Sequence, residues 1–208
     1  MEAELTPANA SQVFGDRLKL AEKYADLLAR DGDLLGLIGP RELPKLWSRH
    51  ILNSAVVADL VEAGEVVADI GSGAGFPGIP MAIKKPEINL VLVEPMERRA
   101  NWLAQVVVPE LGLENVQVIR SRVEDLPEES FQVATARAVS ALPNLLKMIA
   151  PKVTPGGRIL AMKGGKAQEE IDESQVLMKK LGIKDFEIVT VGENVLEDPT
   201  TVVRIGLL

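Results

Sequence analysis

The sequence predicts an α/β protein: a mostly parallel sheet with helices on both faces, preceded by a helical N-terminal segment. Three observations carry this. From residue 66 onward, short apolar runs alternate with stretches of helical periodicity. Several of those runs are almost continuously apolar, as strands buried on both faces are. The first of them leads directly into a glycine-rich turn that opens a helix.

Taken in order, residues 8–30 place Phe14, Leu18, Ala21, Ala25 and Leu28 on one helical face. Gly32, Gly36, Gly39 and Pro40 break residues 31–43 into a loop. Pro44 opens a second helical stretch to about Val61, with Trp47, Ile51, Ala55 and Ala58 on its apolar face and Gly64 closing it. Residues 1–64 are therefore expected to be a helical extension, and 65–208 one compact α/β unit. Its expected strands are Val66–Ile70, Ile88–Val93, Val116–Ile119, a weaker Gln132–Ala134 and Arg158–Met162. Helices near 78–85, 96–111, 141–153 and 166–181 separate them. Phe186–Val191 and Thr201–Leu208 complete seven strands as an antiparallel edge.

Composition narrows the chemistry. The chain has 208 residues, 47% of them hydrophobic, with 17 Gly and 13 Pro, which is ordinary globular usage. No apolar run reaches the roughly 18 residues of a membrane span, and Met1-Glu2-Ala3-Glu4 does not open a signal or transit peptide. A cytoplasmic protein without a membrane partner is expected. Cysteine is absent, which removes disulfides, thiolate zinc sites and thiol nucleophiles. The one histidine, His50, excludes a multi-histidine metal site, so no metal is expected; any Ser-His-Asp triad would have to use it. Aromatics at 3% are too few for a base-stacking sheet. A net charge of −7 and a pI near 4.9 argue against a generic nucleic-acid binder and leave a local basic patch open.

The glycine loop reads Asp69-Ile-Gly71-Ser-Gly73-Ala-Gly75-Phe76-Pro77-Gly78. Glycines let the backbone turn sharply and approach a ligand. The stretch also satisfies the dinucleotide pattern G-x-G-x-x-G, so NAD or FAD competes with S-adenosylmethionine. An acidic strand end followed by G-x-G-x-G favours the latter: Asp69 is a poor neighbour for a pyrophosphate and suits a cationic ligand. Glu94 ends the second strand, where a carboxylate accepts from ribose hydroxyls; the plainer alternative is an exposed strand-end glutamate. Ser121-Arg122-Val123-Glu124-Asp125 follows the third strand and can meet an adenine edge or simply form a capping turn.

Absences matter as well. Methyl transfer to an exocyclic base amine usually comes with an Asn/Asp-Pro-Pro-aromatic motif after the fourth strand; here Ala134-Thr135-Ala136-Arg137-Ala138-Val139 stands there. Transfer to pyrimidine C5 needs a cysteine. A guanine N7 offers a free lone pair and loses no proton, so orientation alone can supply much of the acceleration. Small-molecule acceptors can be equally undemanding.

These residues closely resemble a known family. Asp69-Ile-Gly-Ser-Gly-Ala-Gly-Phe-Pro-Gly-Ile-Pro80 is similar to the cofactor loop of the bacterial 16S ribosomal RNA guanine-N7 methyltransferases, the glucose-inhibited division protein B family. Trp47-Ser-Arg49-His50-Ile-Leu-Asn-Ser54, Ser121-Arg122-Val123-Glu124, Ala136-Arg137-Ala138-Val139 and Met162-Lys163-Gly164-Gly165 agree in order and spacing. The resemblance implies a Rossmann-like class I methyltransferase fold, S-adenosyl-L-methionine as cofactor, and a guanine in the decoding-region (530) loop of 16S rRNA as substrate, free or in a small-subunit particle. It implies that Gly71 and Phe76 line the cofactor pocket, that Val123 and Glu124 meet the adenine, and that Arg137 sits beside cofactor and substrate. Asp69, Gly73 and Glu94 complete the expected cofactor set. Asn53 departs from the family's usual Asp, and Thr200 or Thr201 stands where it often carries Arg.

Arg137 is expected to orient the methyl acceptor, with no clear general base, helped by Arg122, Lys163, Arg49 and His50. Lys45, Arg49 and Asn53 fall at i, i+4 and i+8, with His50 and Ser54 on the adjoining stripe; a solvated face is the plain alternative. Arg98, Arg99, Arg120, Arg122, Arg137, Lys163 and Lys166 all follow strands, where open parallel sheets bind ligands. An ion-pair network with the many glutamates explains Arg98 and Arg99 equally well. A small-molecule methyltransferase, a dinucleotide-dependent dehydrogenase and a non-catalytic RNA-binding factor are the competing functions; a monomer is expected.

Overall fold

A computed structural model describes residues 3–183 and 185–207; Met1, Glu2, Lys184 and Leu208, the last residue of the expected final strand, lie outside the described residues. Seven strands form one sheet in the order β3-β2-β1-β4-β5-β7-β6, with β1 Val66–Ile70, β2 Asn89–Val93, β3 Val116–Ile119, β4 Phe131–Arg137, β5 Val153–Lys163, β6 Asp185–Val191 and β7 Thr200–Gly206. β1 to β5 pair in parallel. β7 runs antiparallel to both β5 and β6. The strand order reverses between β1 and β4, so the crevice of the sheet opens at their C-terminal ends.

The last two strands form the expected antiparallel edge, and the structure fixes their order: β7 is inserted between β5 and β6, and β6 is outermost. The reason lies in their side chains. In β7, Val202 is buried on one face and Val203 and Ile205 on the other, whereas β6 is largely exposed. β4 is also longer and more central than the short apolar run suggested. Its Thr135 is buried because the hydroxyl donates to the Leu160 carbonyl at 3.0 Å, which lets a polar residue sit mid-sheet.

The helices are α1 Ala10–Phe14, α2 Leu18–Asp31, α3 Leu52–Ala55, α4 Gly78–Lys84, α5 Glu97–Trp102, α6 Val108–Leu111, α7 Leu142–Ile149 and α8 Ala167–Lys180. The single helix expected over 8–30 breaks at Gly15, whose φ of +52° suits glycine. Nor is the second stretch one regular helix. A tight turn at Leu43–Lys45 leads into a widened π turn at Leu46–Ile51, then α3 and another tight turn at Val56–Leu60. A second widened turn, Leu103–Val107, joins α5 to α6 just before Pro109, whose ring would crowd the carbonyl of Gln105 in a regular helix.

Strand side chains alternate between two cores. Val67, Leu90, Leu92, Val133, Leu160 and Val202 face α4, α5, α6 and the helices of the first sixty residues. Ala68, Ile70, Val91, Val93, Ala134 and Ile159 face α7 and α8. The N-terminal helices thus supply much of one whole layer. Arg158 ties the layer to the sheet, donating to both Glu65 oxygens at 2.6 and 2.7 Å and to the Leu60 carbonyl.

Candidate active site

β1 ends at Ile70, and the chain turns through Gly71, Gly73 and Gly75 at φ of +70°, +58° and +100°. At Gly75 a side chain would strike Ile79, Tyr24 and Leu103 within 3.1 Å. Above Gly73 the nearest atom to such a side chain is the Gly71 carbonyl at 3.8 Å, so this backbone is open to a ligand. Asp69 is fully buried beneath the loop. Its Oδ2 accepts from the Gly78 N–H at 3.0 Å, while Oδ1 has no partner among the described residues. Burial pushes this carboxyl up to about 7, against the pull of the Gly78 N–H. Glu94 is also buried: one oxygen accepts from the Gly73 N–H and the other from the Met96 N–H, both at 2.8 Å. Both acids staple the loop.

A third staple was not legible in the sequence. Tyr24, the chain's only tyrosine, is buried on α2 and donates to the Ala74 carbonyl at 2.6 Å. Its ring meets Phe76 edge-on at 5.7 Å. The one available signal was that a tyrosine on an apolar helix face needs a partner for its hydroxyl.

Arg137, at the end of β4, is the hub. Its two terminal nitrogens donate to His50 Nδ1 at 2.8 Å, the Arg49 carbonyl at 3.1 Å, Ser54 Oγ at 3.2 Å and the His50 carbonyl at 3.5 Å. Nε–H is left without a partner among the described residues. The guanidinium lies 5.5 Å from the centre of the Phe76 ring, within cation–π range. His50 packs on the same ring at 5.4 Å and meets Glu42 Oε2 through Nε2 at 2.9 Å. Burial, then the charge of Arg137, press the imidazole below its ordinary range, against the Glu42 carboxylate. Both ring nitrogens are therefore engaged. The π turn carries Arg49, His50 and Ile51, and such turns recur where side chains must be re-aimed.

Beside Arg137 a cleft of about 720 Å³ opens over the ends of β4 and β5; Arg49, Asn53, Ala138, Met162, Lys163 and Thr201 contribute to its lining. Lys45 does not line it, because the widened turn breaks the i, i+4, i+8 register. Ala138 has φ of +54°, an uncommon conformation for alanine, and turns residues 138–141 back so that Val139 sits against Gly71. Lys163 is not a free cation: its ammonium holds Glu170 at 2.7 Å and the Ser140 carbonyl at 2.8 Å, and Glu170 also accepts from the Leu142 N–H. Asn53 offers its carbonyl to Thr200 Oγ1 at 3.0 Å, joining the helix to β7.

The remaining expected residues lie apart from this cleft. Val123 is buried in a tight turn after β3, with Arg122 and Glu124 exposed beside it. Lys152 holds that turn from within, donating to the carbonyls of Glu124 and Leu126 at 3.0 and 2.6 Å. Arg120 pairs with Glu97, and Arg99 donates to the Gly36 carbonyl. The strand-end cations thus divide into a cleft group and a β2–β3 group. Among the described residues, no cluster of three or more His, Asp or Glu is placed to hold a metal ion, and no helix is long and apolar enough to cross a membrane.

Known proteins agree with this architecture. A family model described as rRNA small subunit methyltransferase G matches residues 17–199. A ribosomal RNA small subunit methyltransferase G of Pseudarthrobacter chlorophenolicus is 51% identical over 197 residues, spanning 94% of this chain and 91% of that protein. One from Arthrobacter sp. strain FB24 is 52% identical over 204 residues, spanning 98% and 93%. The crystal structure of a SAM dependent methyltransferase from Aquifex aeolicus aligns with a TM-score of 0.57 at 18% identity, over 82% of this chain and all 100% of that one, which shows the Rossmann-like class I methyltransferase fold. With half its residues shared over nearly its whole length, the chain belongs to the rRNA small subunit methyltransferase G family.

Proposed function

We propose that this protein transfers the methyl group of S-adenosylmethionine to N7 of a guanine in the decoding-region (530) loop of 16S rRNA, acting as a cytoplasmic monomer. Its family supports an enzyme acting on small-subunit rRNA. The residues suit the cofactor: the backbone over Gly73 is open, Gly71 is half-exposed beside it, and the acid Asp69 lies beneath with one unpartnered oxygen. S-adenosylmethionine supplies an electrophilic methyl group, which a base nitrogen with a free lone pair takes without losing a proton.

The observation that carries N7 is the engagement of the only imidazole. His50 accepts from Arg137 through Nδ1 and donates to Glu42 through Nε2, so it is not free to remove a proton. Asp69, the other group with a suitable range, is sealed from the cleft. Glu170, the acid that lines the cleft, is tied to Lys163 and the Leu142 N–H, so the site offers no free base and suits an acceptor that needs none. In this reading Gly71, Gly73 and Phe76 seat the cofactor, Val123 and Glu124 meet its adenine, and Asp69 and Glu94 keep the loop in shape. Arg137 orients the acceptor: its four terminal donors are fixed, and Nε–H remains to hold a guanine O6 while N7 faces the methyl group. Arg49 and Arg122 contribute phosphate contacts, His50 holds Arg137, and Lys163 shapes the cleft through residues 138–141.

Mass spectrometry of 16S rRNA from a strain lacking this protein tests the proposal. One methyl group should be missing from a guanine of that loop and return with the intact gene. Methylation that persists in the deletion strain refutes it.

A further inference from the structure

One acid at the site has no role in the chemistry above. Glu42 precedes the tight turn at Leu43–Lys45 and meets His50, eight positions further along the chain. We propose that Glu42 is a positioning residue for methyl transfer: by accepting the Nε2–H of His50 it holds the imidazole in the one tautomer whose Nδ1 can accept from Arg137. The inference rests on the role proposed above for Arg137.

A guanidinium has donors and no acceptor. The nitrogen 2.8 Å from Arg137 Nη2 must therefore be bare, and the single proton of a neutral imidazole must sit on Nε2, 2.9 Å from Glu42 Oε2. In the other tautomer, N–H would face N–H, and Arg137 would lose its shortest contact. The imidazole side chain is only 13% exposed, so water is a poor substitute for Glu42. Three charged groups face His50: Arg137 from β4, Glu42 from the preceding loop and Arg49 from its own turn, the last 3.3 Å from the same Glu42 oxygen. The remaining wall is the uncharged Phe76 ring. Asp69 and Tyr24 act on Arg137 rather than on the imidazole. Protonation of Nδ1 would put a donor against a donor and release Arg137. Methyl transfer should therefore fail on the acid side as this imidazole gains its proton. The Glu42 carboxylate favours the imidazolium, so removing its charge should move that failure to lower pH.

The chain has a single histidine, so nitrogen-edited NMR of the full-length protein reads this ring directly, with no dependence on activity. Wild type should show Nε2–H with Nδ1 bare. Glu42→Gln keeps an acceptor for Nε2–H and loses the charge: the tautomer should persist, while the imidazole titration and the acid limb of kcat both shift to lower pH. Glu42→Ala should mix the tautomers and lower kcat by about tenfold, with KM for S-adenosylmethionine within about twofold. Turnover is followed by tritiated methyl transfer to 16S rRNA from the deletion strain. An Nδ1–H tautomer in wild type overturns the proposal. So does an imidazole titration in Glu42→Gln indistinguishable from wild type. Absence of methyl transfer by wild type to free 16S rRNA and to small-subunit particles alike would instead refute the proposed function, and the expected NMR tautomers would then show only that Glu42 holds His50 against Arg137.

Discussion

Asp69 shows how far a residue can depart from its type. A carboxyl on the surface titrates near 4, whereas this one is raised to about 7, first by burial and then by the charge of Glu94. The folded chain holds the proton more tightly than the unfolded chain does. The associated stability is therefore complete below the unfolded value of 3.8 and is lost as pH rises through about 7. Asp69→Asn keeps a carbonyl for the Gly78 N–H and has no charge to bury. Relative to wild type its melting temperature should rise from pH 5 to pH 8.5, the gap widening by roughly 2–4 °C per kcal/mol relieved. A gap that ignores pH would mean that Asp69 titrates as an ordinary carboxyl. The sequence made Asp69, Glu94 and Arg137 visible as candidates because each ends a strand beside the glycine loop. It could not show what each touches. Lys163 looked like a free cation and is held by Glu170, 28 positions from Leu142 in the same clamp. Glu42, Lys152 and Glu170 carried no signal at all, since what they hold is set by the fold; Ser54 was visible only as a neighbour of His50 on its stripe, not as a partner of Arg137.

At the scale of elements, the apolar runs of β1 and β2 were legible because both faces of those strands are buried, and β3, a half-buried edge strand, kept an apolar run at Val116, Val118 and Ile119. The order of β6 and β7 was not legible, because it depends on which strand leaves the sheet with two apolar faces. The helix carrying His50 kept its apolar face through Trp47, Ile51 and Ala55, all fully or almost fully buried, yet its π turn has no compositional mark. That turn decides which side chains reach the cleft. The glycine loop likewise depends on an element the motif does not contain. Tyr24 on α2 is the loop's hydrogen-bonded contact with the N-terminal layer, and Tyr24→Phe removes one hydrogen bond while leaving the Ala74 carbonyl buried. The expected loss is about 1–2 kcal/mol, read as a fall in melting temperature of roughly 2–8 °C. Calorimetric titration should show S-adenosylhomocysteine binding weakened several-fold, because the open backbone at Gly73 is no longer held from Ala74. Unchanged binding with a lowered melting temperature would confine Tyr24 to a packing role.

For the molecule as a whole, the net charge of −7 is an average over unlike regions. Arg49 and Arg137 meet at the cleft, while Arg98, Arg99 and Arg120 lie along the β2–β3 side, partly matched by local acids and carbonyls. The same regional view applies to stability. Residues before Glu65 look like an appendage in sequence, but their side chains cover much of a sheet face that α4, α5 and α6 cover only in part. Tyr24, Leu28, Leu46, Trp47, Ile51 and Leu52 are all at most 2% exposed, within the core that holds Val67, Leu90, Val133 and Leu160. At roughly 1.5–3 kcal/mol for each fully buried large apolar side chain, these six represent about 9–18 kcal/mol as an upper bound. A domain's entire net stability is about 5–15 kcal/mol. Arg158 would at the same time lose the Leu60 carbonyl. Residues 65–208 expressed alone should therefore bind an apolar dye and show no cooperative melt, although every residue of the glycine loop is present. Adding the 3–64 segment as a separate chain should restore a cooperative transition only to the extent that it re-covers that face. A sharp, reversible melt of 65–208 by itself would show instead that the sheet carries its own stability, and that the N-terminal helices are needed for the site alone.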